Sequence, residues 1–201
     1  MTKIEKTLGI AAIILVLLKF AAMPGAGLLL IITLTLLCMF YFSCSFAIFN
    51  GISFRGLFDT KSYQNSSFLK IIGAVVTGLV LSATIVGIVF KLFSWPGAHV
   101  MLLLGILGIM IITIIAAKKH SKIKSEYYKR IFKRIAIFGF ISVFLILLPQ
   151  SIWIEFQHRN NPEYLQALKQ SLADPENEEL SQKRDLEYKK MTSGVESSIV
   201  D

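Results

Sequence analysis

The chain has 201 residues, of which 54% are hydrophobic, with a mean hydropathy of +0.64. That excess over the roughly 45–50% apolar content of soluble domains excludes an ordinary globular fold, and its gathering in long blocks is the pattern of a polytopic membrane protein. The net charge of +8 is unevenly placed: residues 1–154 hold 15 Lys and Arg against 3 acids, and residues 155–201 hold 6 against 10, so the basicity reports membrane topology rather than nucleic-acid binding.

Five apolar blocks approach the roughly 20 residues that cross a hydrocarbon core of about 30 Å. The first, Thr7–Met23, is short and contains Lys19, so it spans only if that amine snorkels to the interface. A cleaved signal peptide is the rival reading, with Lys3 and Lys6 ahead of the apolar run. The second and third blocks are Gly27–Phe49 and Ile71–Phe93. The fourth is Ala98–Ala117 and the fifth Ile135–Ile154.

An internal repeat favours retention of the first block. "KFAAMPGA" at 19–26 returns as "KLFSWPGA" at 91–98, matching at Lys, Pro, Gly and Ala, and the second copy cannot belong to a signal peptide. Pro24-Gly25 and Pro96-Gly97 predict two tight helical hairpins, because proline ends the incoming helix and glycine permits the turn. Lys19 and Lys91 each precede their proline by five residues, which puts the amines near the interface, to snorkel, to cap helix carbonyls or to meet a partner's carboxylate. Both hairpins begin on the same side, so the copies are expected to be parallel repeats about a pseudo-twofold along the membrane normal. Gly78 with Ser82 and Ala83 with Gly87 form small-residue pairs for helix packing in the third block, with Gly105 and Gly108 offering the same in the fourth.

The segment "KKHSKIKSEYYKRIFKR" at 118–134 holds eight Lys and Arg against one acid and is cytoplasmic under the positive-inside rule. Alternation then places the N-terminus and the 50–70 loop in the cytoplasm and both turns outside. Trp95 and Trp153 fall at the outer interface, as an aromatic belt requires. The expected organisation is a first hairpin at 1–49, a cytoplasmic loop at 50–70, a second hairpin at 71–117, a basic loop at 118–134, a fifth transmembrane helix at 135–154 and an outward-facing acidic helical tail at 155–201.

The tail carries Asn161-Pro-Glu163 and Asp174-Pro-Glu176, each reading as a helix start of cap, proline and acid. Two helices are expected, over 162–173 and 175–191, the first with a Leu165, Leu168, Leu172 stripe, and the end from Thr192 is expected to be loose.

The repeated K-x-x-x-(W/M)-P-G-A element across a two-span turn resembles the N-terminal membrane domain of the gliding-motility protein GldL and its relatives, over residues 8–48 and 80–117. The resemblance implies a membrane hairpin fold from an oligomeric, proton-driven envelope motor that uses a membrane-embedded glutamate. Here the repeat spans hold no Asp or Glu, since the acids before the tail are Glu5, Asp59 and Glu126, and the family's single hairpin is doubled. The hairpin plan is therefore the part the resemblance supports.

Catalytic signatures are absent from the sequence. His99, His120 and His158 lie in separate segments, and a metal site joining His99 and His158 to Glu155 or Glu163 lacks any close ligand spacing. Cys38 and Cys44 read as small apolar residues. No phosphate-binding loop or nucleophile elbow occurs, and no cofactor is expected. The expected function is that of a non-enzymatic multi-pass protein of the bacterial inner membrane, N-terminus in the cytoplasm and C-terminus in the periplasm. It is read as a scaffold or accessory subunit of an envelope complex, contacting lipids and a membrane or periplasmic protein partner or further copies of itself. The alternative is a transporter or ion-coupled subunit working through Lys19 and Lys91.

Overall fold

A computed structural model describes residues 2–21, 23–52, 67–122, 125–149, 154–155, 158–174 and 176–200. These residues are all-helical, with no strand among them, and the chain divides into a body up to Leu147 and a tail from Leu148. The body contains α1 (Thr2–Phe20), α2 (Ala26–Asn50), α3 (Phe68–Leu92), α4 (Ala98–Lys122) and α5 (Glu126–Leu147). The tail contains α6 (Pro162–Ala173) and α7 (Glu178–Val200).

Three body helices, α2, α3 and α4, are long and apolar enough to cross a membrane. At 25 residues each they measure about 37 Å at 1.5 Å per residue. Their outer faces are apolar and open, Leu28, Phe42, Leu104 and Ile111 among them, as expected of surface that meets lipid rather than water. Within the body, α3 is central and packs on α2, α4 and α5; its buried face alternates small and large residues (Ala74, Gly78, Leu81, Ser82, Ile85).

The two turns copy each other bond for bond at an offset of 72 residues. In the first, the amides of Ala21, Met23, Ala26 and Leu29 donate to the carbonyls of Leu17, Leu18, Met23 and Gly25. In the second, the amides of Phe93, Trp95, Ala98 and Met101 donate to those of Val89, Phe90, Trp95 and Gly97. Gly25 and Gly97 both sit at φ 79, a left-handed conformation in which an L side chain is strained, so the repeated glycine has a backbone cause. The burial repeats as well: Ala26 and Ala98 are buried to the same degree, and Leu30 and Leu102 completely.

The repeat does not extend to a closed pseudo-twofold. Packing of α2 on α3 would require α4 on α1 in return, and among the described residues that pair makes no comparable interface. Instead α5 lies against α4, α3 and α2.

Two elements differ from the sequence expectation around α5. The fifth helix starts at Glu126, not Ile135, and ends at Leu147, ahead of Pro149, which has no amide to continue the ladder. The 118–134 segment is correspondingly not an extended loop: α4 runs to Lys122 and α5 resumes four residues later. The 53–66 part of the 50–70 loop and Trp153 lie outside the described residues.

In the tail, α6 spans 162–173 as expected, with Pro162 in its first turn. The second helix starts later than the Asp174-Pro motif suggests, because Asn177 is the residue that caps it: its Oδ1 accepts from the amides of Glu179 (3.1 Å) and Leu180 (3.3 Å). It then continues to Val200 rather than ending at 191, no proline interrupting it. The leucine stripe of α6 is only partly inward. Ala167 and Ser171 are buried, whereas Leu172 is exposed. The helices meet through Arg184 donating to Ser171 Oγ (3.3 Å) and through the Tyr164–Tyr188 ring contact.

Candidate functional site

The charges inside the apolar body are the chemically distinctive groups, and they fall at two levels. At the turn level, Lys19 at the end of α1 donates from Nζ to the Leu92 carbonyl at the end of α3 (2.5 Å) and lies 3.7 Å from the centroid of the Phe93 ring. The last carbonyls of a helix have no intrahelical donor and carry its negative dipole end. Lys19 answers both needs, but for the helix of the other hairpin rather than its own. This contact ties α1 to α3 at the end of the body where both turns lie. Phe93 is held there by Gly27, where a Cβ would approach its ring to 3.5 Å, and by Trp95, which also stacks edge-on against Phe90 (5.2 Å). Lys91 is buried, 3% exposed, and so is not the snorkelling side chain its spacing suggests.

The second level joins residues far apart in the sequence. Glu5 in the first turn of α1 accepts through Oε2 from Arg134 Nη2 of α5 and through Oε1 from the Tyr41 hydroxyl of α2, both at 2.5 Å. Arg134 also donates to the Arg130 carbonyl (3.0 Å) and lies over the Phe49 ring (5.6 Å), while Tyr41 packs edge-on against Phe138 (5.5 Å). Tyr41 is 1% exposed and Arg134 6%. Fifteen residues separate Glu5 from the end of α1, and fifteen separate Tyr41 from the start of α2. Both groups therefore lie about 22 Å from the turns. Around them gathers every described Lys and Arg of the body other than Lys19 and Lys91, so the body is basic at one end and nearly uncharged along its middle.

No protein-family model, curated protein or solved structure matches this chain.

The small residues proposed for packing sort onto two helices. A Cβ on Gly78 would stand 2.7 Å from the Tyr41 carbonyl and strike Ser45, and Ser82 Oγ donates to the Cys38 carbonyl (3.0 Å), so these two seat α3 on α2. Gly87 meets the backbone of Met101 and Leu102, and Gly105 meets Thr84, seating α3 on α4. Ala83, paired with Gly87 in the sequence, faces outward instead; the buried neighbour is Thr84. Pro24 and Pro96 sit in the turns, ahead of the two left-handed glycines. Among the described residues no group of three His, Cys, Asp or Glu side chains converges as a metal site would require.

Chemically, a carboxylate matched to a guanidinium and a phenol donor is an ionic cluster closed at the carboxylate, while the buried Arg134 Nε has no hydrogen-bond partner. Each oxygen of Glu5 has a charged or hydroxyl donor, which is what permits a charge to leave water at all. The readable signal was the register of Arg134: it follows Tyr127 and Ile131 by seven and three residues, on the buried stripe of α5.

Proposed function

We propose that the chain is a non-enzymatic, five-span protein of the bacterial inner membrane that serves as a scaffold or accessory subunit of an envelope complex. In this reading the N-terminus is cytoplasmic and the acidic α6–α7 hairpin meets a periplasmic or membrane partner. The observation that carries it is the use of body charges for internal construction: Lys19 clasps the other hairpin and Glu5 neutralises Arg134. A transport route needs charged groups turned toward a polar path, and these two are engaged with their own fold.

The same pair bears on the spans α1 and α5. Each alone would bring an unpaired charge to the basic end of its helix, at less than the about 2.5–3.5 kcal/mol of a helix-centre position on an insertion scale. Paired, they enter as a neutral unit. The single Pro-Gly hairpin, doubled here, is the part of this plan that the resemblance to GldL-like domains supports, and no proton-motor role is proposed with it.

The experiment is in-membrane photocrosslinking from Leu172 and Leu186, both exposed on the tail, combined with ion-flux measurements on liposomes. The scaffold reading expects one discrete adduct beyond the 22.5 kDa chain and no flux attributable to Lys19 or Lys91. A monomer without adducts, or a flux lost in the Lys19→Met/Lys91→Met variant while the fold persists, overturns it. Sidedness is read from a cysteine at Glu178, which is exposed, rather than at Ser171, which is buried. Resistance of that cysteine to an impermeant reagent in spheroplasts refutes an outward tail.

A further inference from the structure

At the basic end, α3, α4 and α5 leave a cleft of about 80 Å³ between them. Its walls are apolar: Val76 from α3, Ile112 and Ile115 from α4, and Ile131 from α5. Its mouth is not. Lys119 stands there, exposed, together with the rings of Tyr127 and Tyr128. The Tyr127 hydroxyl donates to the Lys70 carbonyl (3.1 Å), and Gly73 makes room for it, since a Cβ there would come within 3.1 Å of that oxygen. The ring is thus fixed as a wall and does not swing in to fill the gap. From Lys119 to Ile112 is seven residues along α4, about 10 Å of apolar trough running inward from a cation.

Val76 and Ile115 are about half exposed, so the trough opens sideways toward the surface that lipid covers. The nearest acid on α5, Glu126, is engaged with Lys129 (2.7 Å). A positive mouth over an apolar trough, set in a membrane helix bundle, is complementary to one kind of molecule: an amphiphile with an anionic head and a hydrocarbon chain.

We propose that this cleft is a binding site for one anionic phospholipid, its phosphate on Lys119 and the first part of one acyl chain along Val76, Ile112 and Ile115. The inference rests on the membrane reading of the body and adds to it a ligand class and a place. A lipid there fills the gap between three helices and ties α5 to the α3–α4 hairpin.

The test uses the full chain reconstituted from vesicles of equal phosphatidylglycerol and phosphatidylcholine, then extracted, with retained lipids counted by native mass spectrometry. Wild type is expected to retain one phosphatidylglycerol in preference to phosphatidylcholine. Removing one near-surface lysine contact lowers occupancy about fivefold, so Lys119→Met should do so while Lys118→Met, one position around the helix, does not. Val76→Trp fills the trough and should abolish retention with Lys119 intact; if that variant fails to fold, Lys119→Met alone decides. Equal retention of both lipids, or equal loss in the Lys118 and Lys119 variants, overturns the site in favour of diffuse attraction. Displacement by inorganic phosphate at matched concentration makes it a plain anion site and also overturns it. Failure of wild type to float with vesicles would instead remove the membrane reading beneath it.

Discussion

The Glu5–Arg134–Tyr41 cluster makes the strongest quantitative demand on the fold. Glu5→Leu leaves Arg134, 6% exposed, without its counter-charge, and leaves the Tyr41 hydroxyl without its acceptor. Breaking a buried pair on one side costs about 3–5 kcal/mol, and an orphaned buried hydroxyl about 1–3 kcal/mol. Arg134→Leu leaves Glu5 with Tyr41 still donating, so it should fall at the lower end, about 3 kcal/mol. If these were independent losses, the double variant would lose about 7–11 kcal/mol, comparable with the whole 5–15 kcal/mol that a folded chain possesses. They are not independent: removing both charges removes the desolvation problem itself. Glu5→Leu/Arg134→Leu should therefore lose only about 1–3 kcal/mol, chiefly from Tyr41, and adding Tyr41→Phe should return most of that. The assay is reversible unfolding in mixed micelles, followed by far-ultraviolet dichroism and, in a Trp153→Phe background, by Trp95 emission, which reports the opposite end of the body. Single variants within about 0.5 kcal/mol of wild type, or a double variant whose loss equals the sum of the singles, would refute the closed cluster.

Other expectations follow from particular residues. Gly25→Ala and Gly97→Ala each force a side chain into φ 79 with nothing else within 4 Å, so both should lose about 1–2 kcal/mol, equally, by the same unfolding assay. Unequal losses would mean that the turns are not equivalent. Gly78→Ala must part α2 from α3, because the new methyl meets the Tyr41 carbonyl and Ser45; a loss of about 1–3 kcal/mol is expected, while Gly9→Ala, in open space, should be neutral or slightly stabilising. Lys19→Met removes a charged hydrogen bond and a ring contact, for about 2–3 kcal/mol, and Lys19→Arg should restore part of it. In the tail, burial first, then Tyr188 and Asp185, push the Tyr164 phenol above its ordinary value of 10.0, with Arg184 opposing. The folded state thus resists ionising it, so the tail keeps its full stability below pH 10 and loses it as pH rises beyond. Phenolate absorbance of wild type minus Tyr164→Phe checks this; a midpoint at or below 10 contradicts it.

What was legible in the sequence was whatever a short local pattern determines. A Pro-Gly between apolar runs dictates a turn from its own backbone, and a 72-residue copy of the residues became a 72-residue copy of the hydrogen bonds. The start of α6 was equally local. The start of α7 was misplaced because Asp174 and Asn177 compete as caps within four residues, and composition does not rank them. Three body helices were evident from length and hydropathy; the bounds of α5 were not, because its first two turns are basic and look like a loop until Ile131 and Arg134 are seen on one stripe.

The buried cluster was hidden for a different reason. Glu5 sits between Lys3 and Lys6, and any local window reads that triplet as a solvated flank. Its burial depends on Arg134, 129 residues away, and on an α5 whose docking no local pattern specifies. The same fact explains why the repeat is broken at the level of packing. A closed twofold would have set α4 against α1, but the carboxylate of α1 is bonded to α5, and α5 also covers α4. The duplicated sequence thus fixes how each hairpin turns and how Lys19 joins the two at one end. The unrepeated pair, Glu5 with Arg134, determines which helix closes the body at the other.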